Sequence, residues 1–181
     1  MKKLSLFAFF AAALVLIPLS AQAQPACYLS YCDWMINGDF SSTTGWTRHT
    51  GTSYPSPNDP CLSGAPANKL AELQNGEWLL SPSMYIDSNW SGGTHFEVSF
   101  NLYLLDDTEN WYDQLKVIVK NLDTNATETF YVHGDTYNTS CTAKLFTLSS
   151  NYLNHNVSVR FEVASLATGT YQIDNVSFWS Y

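Results

Sequence analysis

From Phe96 to Leu104 the chain alternates without a break. Phe96, Val98, Phe100, Leu102 and Leu104 fall on one side, while Glu97, Ser99, Asn101 and Tyr103, with His95 before them, fall on the other. A period of two is the signature of a half-buried strand. The pattern returns from Asn156, where Val157, Val159, Phe161 and Val163 oppose Ser158, Arg160 and Glu162, and again where Leu115, Val117 and Val119 oppose Lys116 and Lys120. Shorter runs predict strands over residues 35–40, 46–50, 69–73, 77–80, 127–133, 144–148 and 171–179. In the last of these Tyr171 and Ile173 share one parity and Val176 and Phe178 the other, so the pattern slips by one residue at Asp174-Asn175. A β-bulge there lets both apolar pairs face the core and turns the Asp174 side chain out of the strand. Turn-forming clusters separate the runs at residues 54–60, 89–93 and 133–135, and only residues 66–74 offer a helical turn. About nine antiparallel strands with turn-rich connections predict an all-β domain, a β-sandwich or jelly roll.

The start of the chain follows a different pattern. Lys2 and Lys3 precede an apolar run from Leu4 to Leu19, and Ala21-Gln22-Ala23 is a small-x-small cleavage signal. We therefore expect a signal peptide over residues 1–23, an N-terminal arm over 24–32 and one β-sandwich domain over 33–181. The expected destination is extracellular or periplasmic. Without the leader the net charge of −8 becomes −10, because Lys2 and Lys3 are lost and all 16 acids remain. An anionic chain with no basic run cannot neutralise successive phosphates, which excludes a nucleic-acid role. No later stretch reaches the roughly 20 apolar residues of a membrane helix, so membrane insertion is not expected.

All four cysteines, Cys27, Cys32, Cys61 and Cys141, lie beyond the leader, where an oxidising compartment favours disulfides. Cys27 and Cys32 are neighbours in the arm, and Cys61 and Cys141 each sit in a turn-rich loop. Of the three possible connectivities we favour 27 with 32 and 61 with 141. A zinc knuckle would need a second close pair, which is missing.

Several motifs carry a resemblance. Asn37-Gly38-Asp39-Phe40-Ser41 followed by Gly45-Trp46, and the closing Ile173-Asp174-Asn175-Val176, resemble the first and last motifs of bacterial carbohydrate-binding modules with the galactose-binding-like jelly roll. Residues 111–117 are similar to a middle strand of MAM-type adhesion domains. The resemblance implies that the two terminal motifs lie side by side. It also implies a structural calcium ion held by oxygen ligands, with Asp174 at the position of the family's C-terminal acid. Ser41 replaces the family's Glu, and Asp39 is the acid that would substitute for it.

Composition points to the ligand class. Beyond the leader there are 24 aromatic residues against 22 charged ones, and Ser, Thr and Asn are abundant. Rings lie well against the C–H face of a sugar, and amides and carboxylates pair with its hydroxyls. Trp111, Tyr112, Trp90, Tyr54 and Tyr137 fall in expected loops and are the candidate platforms, whereas Trp46 and Trp78 are assigned to the core or its margin. Glu97, Asn101, Tyr103, Arg160 and Glu162 would form a second, shallow groove if their strands shared one sheet. A carboxylate pair for glycoside hydrolysis would have to come from Asp106, Asp107, Glu109 and Asp113, or from Glu97 with Glu162; neither set has a recognisable catalytic context. His49, His95, His133 and His155 have no metal-ligand spacing. The expected function is a secreted, non-catalytic module that binds a glycan or glycoprotein. The alternatives are a self-associating surface, matrix or fibre subunit and, third, a glycan-active jelly-roll enzyme.

Overall fold

The computed structural model describes residues 26–28, 31–54, 69–88, 96–105, 114–133, 141–167 and 169–180. Among them are twelve strands: β1 Ala26–Tyr28, β2 Tyr31–Asp33, β3 Thr47–Arg48, β4 Ala71–Leu73, β5 Trp78–Leu80, β6 Met84–Tyr85, β7 Phe96–Leu104, β8 Gln114–Asn121, β9 Thr127–His133, β10 Thr142–Leu148, β11 Asn156–Val163 and β12 Tyr171–Ser180. The number exceeds the expected nine because several strands are only two or three residues long. One turn of 3-10 helix, Ser150–Tyr152, precedes β11.

Pairing divides the strands into two antiparallel sheets. The first runs β1-β2-β12-β7-β10, with β4 also paired to β12; the second runs β3-β5-β11-β8-β9, with β6 also paired to β11. The alternating residues meet between the sheets. Phe100 of the first sheet is 1% exposed and Phe161 of the second 0%, and their rings meet edge to face with centroids 5.0 Å apart. Phe130 and Phe146, from end strands β9 and β10, stack at 4.7 Å and close one side of the sandwich. Both end strands also place a charge at an inward position, Glu128 opposite Val119 and Lys144 opposite Phe100. Inward charges on end strands discourage pairing with another chain.

The slip in the last strand is a bulge, since the register of β12 on β7 shifts between Asp174 and Ser177 and Asn175 takes φ +50°. Tyr171, Ile173, Val176 and Phe178 are consequently all buried. Asp174 does point away from the core, opposite Asn101, but it is fully buried and accepts a hydrogen bond from the Asn175 N–H at 2.7 Å.

Two local expectations are corrected. Residues 35–40 form turns instead of a strand, because Asn37 and Phe40 hold φ of +54° and +50°, outside the extended region. The helical turn over 66–74 is not seen in its described part, where Ala71–Leu73 forms β4. The expected Cys27–Cys32 disulfide is present: it bonds the hairpin of β1 and β2, and β2 pairs with the end of β12. Cys141 is also disulfide-bonded, while Cys61 lies outside the described residues.

Candidate functional site: an aromatic sheet face and a polar cleft

The terminal motifs do lie side by side. The Val176 N–H donates to the Gly38 carbonyl at 2.9 Å, and a β-carbon at Gly38 would collide with the Val176 carbonyl oxygen, so only glycine allows this approach. Phe40 is driven into the core, its ring 4.9 Å from Trp46, and the Trp46 indole N–H donates to the Asn37 carbonyl at 3.1 Å. Between the motifs opens a polar cleft of about 370 Å³, whose lining includes Asp33, Asn37, Asp39, Ser41, Asn175 and Ser177.

This cleft divides the expected ligand set. Asp39 and Ser41 line it, with Asp39 Oδ1 accepting from the Ser41 N–H at 3.1 Å and its hydroxyl at 2.9 Å, but Asp174 does not. The bulge leaves Asp174 bonded to its own neighbour, and Asp33 is the second carboxylate of the lining. Among the described residues no group of three His, Cys, Asp or Glu side chains is assembled for a metal. Asp33 was not singled out in the sequence, since only the hairpin and β12 bring it here. Its Oδ1 accepts from the Met35 and Phe178 N–H groups, each at 3.0 Å.

Burial pushes the Asp33 carboxyl above its ordinary 3.8, against the opposing pull of these hydrogen bonds. The folded state therefore binds this proton more tightly than the unfolded state. Stability from this group is fully present below pH 3.8 and is lost as pH rises through the raised value. The amide oxygen of Asp33→Asn can keep accepting the same two N–H groups without carrying charge. In chelator at pH 7 this variant is expected to melt at or above the wild-type temperature, the difference closing at low pH. A clearly lower melting temperature at pH 7 would contradict this sign.

The second feature is the outer face of the second sheet. Across β5, β11, β8 and β9 the register aligns Trp78, Glu162, Lys116 and Tyr131 in one row. Three strand spacings separate the two rings, about 14 Å. Arg160 stacks its guanidinium on Trp78, 4.9 Å from the ring centroid, and pairs with Glu162 at 2.8 Å; Lys116 reaches the other Glu162 oxygen at 3.4 Å. His49 meets the indole edge at 6.3 Å. Tyr85 of β6, opposite Asn156, stands on the same face. Tyr85 and Tyr131 are 40% and 51% exposed, and they are the two aromatic members of the exposed large hydrophobics among the described residues.

The structure separates the expected groove. Glu97, Asn101 and Tyr103 of β7 belong to the first sheet, and Arg160 and Glu162 of β11 to the second, on opposite outer faces of the sandwich. Alternation tells which side chains point outward but not which sheet a strand joins. For the same reason Glu97 and Glu162 cannot act as a carboxylate pair. Parts of the first sheet's outer face are covered, since Gln172 and Asp174 are 7% and 0% exposed. Of the expected loop aromatics, Tyr54 is half-buried against the core, 5.7 Å from Phe40 and beneath the Arg48 guanidinium at 5.0 Å, with its hydroxyl buried. Trp90, Trp111, Tyr112 and Tyr137 lie outside the described residues, as do Asp106, Asp107, Glu109 and Asp113. Trp78, which parity assigned to the core margin, is half-buried on the outer face.

No protein-family model and no curated protein sequence matches the chain. Solved structures do. The carbohydrate-binding module TmCBM61, solved in complex with β-1,4-galactotriose, aligns at a TM-score of 0.57 and 10% identity over 82% of this chain and 99% of that one. The CBM22-1 xylan-binding domain of Xyn10C from Paenibacillus barcinonensis aligns at 0.51 and 13% identity, over 78% and 88% of the two chains. The enzymatically active domain of bacteriophage CBA120 tailspike protein 4 aligns at 0.56 and 14% identity over 81% of this chain, which spans only 21% of the tailspike chain. These likenesses give the chain the β-sandwich fold of carbohydrate-binding modules.

Proposed function

We propose that the protein is a non-catalytic glycan-binding module and that its binding surface is the outer face of the second sheet. One observation carries this reading: the two exposed aromatics among the described residues, Tyr85 and Tyr131, share a face with the half-buried Trp78. Rings spread over several strands suit an oligosaccharide better than a single sugar. Arg160 and Glu162 fix the Trp78 ring and present donors and acceptors for hydroxyls. The binding of galactotriose by TmCBM61 supports the ligand class. A cell-adhesion role would rest on the MAM-like residues 111–117 alone.

Stacking on one ring contributes about 1 kcal/mol, by analogy with aromatic pairs. Trp78→Ala and Tyr131→Ala are each expected to weaken oligosaccharide binding roughly fivefold. Tyr131→Ala should leave the melting temperature nearly unchanged, because its ring is half exposed. Calorimetric titration of both variants checks this; unchanged affinity in both would remove the face from the reading.

The same proposal allows the polar cleft a structural calcium ion, with Asp33 and Asp39 as its carboxylates and Ser41 beside them, all oxygen donors of the kind calcium prefers. At a free calcium concentration 100 times the dissociation constant the ion would add about 2.7 kcal/mol. Chelator is then expected to lower the melting temperature, and an unchanged melt would dismiss the ion. Self-association by pairing through β9 or β10 is disfavoured by their inward charges, Glu128 and Lys144.

A further inference from the structure

The second sheet's outer face differs from the rest of the chain in charge as well as in aromaticity. Beyond the leader there are six basic residues, Arg48, Lys69, Lys116, Lys120, Lys144 and Arg160, against 16 acids. Three of the six, Lys116, Lys120 and Arg160, occupy outward positions on β8 and β11, since Lys116 aligns with Glu162, Lys120 with Ser158 and Arg160 with Ile118. The described outward positions of these two strands carry one acid, Glu162, which is shared between Lys116 and Arg160. One carboxylate cannot neutralise two cations, and Lys120 adds a third charge two residues from Ile118 along the same strand. Asp123, which accepts from the outward Asn156 side chain at 3.1 Å, adds a second acid beside Tyr85, so three cations stand against two acids and the face is locally cationic on a strongly anionic protein. A polyanion is repelled by the chain as a whole and finds compensating charge around the Glu162–Lys116 pair that Trp78 and Tyr131 flank, where Arg160 and Lys120 add two further cations.

From this charge complementarity we infer that the face takes an acidic oligosaccharide, one that carries carboxylate or sulfate groups. The inference rests on the glycan-binding reading above and narrows its ligand class. Rings hold the C–H faces of the sugars, and the cations meet their anionic substituents; Arg160 and Lys116, already oriented by Glu162, need little further ordering.

The test titrates the purified chain with three probes: oligogalacturonate, a sulfated galactan oligosaccharide and a neutral galactan oligosaccharide of matched length. At least one acidic probe is expected to bind roughly tenfold more tightly than the neutral one at low salt. The advantage should shrink toward 1 M salt, where the screening length falls to about 3 Å. Lys120→Gln is expected to reduce the acidic-to-neutral affinity ratio by about two- to fivefold, the range of an exposed ion pair. A preference for one acidic probe assigns the substituent, carboxylate or sulfate. Equal binding of neutral and acidic probes, or a ratio that ignores Lys120→Gln, overturns the acidic assignment and leaves the aromatic platform standing. Binding of none of the three overturns the platform as well.

Discussion

Phe161→Ala is expected to destabilise the domain by about 3 to 5 kcal/mol, the cost of removing a fully buried ring and leaving a cavity. Phe161 sits in β11, is 0% exposed, and meets Phe100 of the opposite sheet edge to face at 5.0 Å. That contact joins the two layers, and collapse cannot easily fill the gap because β11 is held by β8 on one side and by β5 and β6 on the other. Denaturant unfolding at equilibrium measures the change. A loss below about 1 kcal/mol would mean that the sheets are not packed as described.

Trp46→Ala is expected to cost a similar amount, about 3 to 5 kcal/mol, for a different reason. Trp46 is 8% exposed and packs on Phe40, and its indole N–H satisfies the Asn37 carbonyl. Truncation removes the ring and orphans that carbonyl in the turn where Asn37 and Phe40 already hold positive φ. The Gly38 contact with Val176 depends on the same turn, so the variant should loosen the polar cleft as well as lower the melting temperature. A variant that melts like the wild type would show that the Asn37-to-Trp46 motif does not support the fold.

Strand positions were legible wherever one face of a strand is buried. The alternation of β7 and β11 and the slip at Asp174-Asn175 could each be read directly, because burial imposes a period of two and a bulge breaks it by one. Sheet membership was not legible, and so Glu97 and Arg160 were joined in a groove that the topology divides. Local backbone choice misled at residues 35–40, where apolar Met35, Ile36 and Phe40 suggest a strand but Asn37-Gly38 makes a turn. Trp78 shows the limit most clearly. Parity put it at the core margin, because a run of three residues does not say which of its two sides is buried; β5 alternates half-buried, buried, half-buried, with Leu79 inward. The proposed platform emerges only from the cross-strand register, which brings Tyr131 and Lys116 level with it and Tyr85 onto the same face.

The most direct measurement is a backbone amide NMR titration of the purified chain with an oligosaccharide it binds. The proposed function predicts that shift changes concentrate in β5, β11, β8 and β9 around Trp78, Arg160, Glu162, Lys116 and Tyr131, with the first sheet unmoved. Changes confined to the segments around Trp90, Trp111, Tyr112 and Tyr137, or to the outer face of β7, would contradict it.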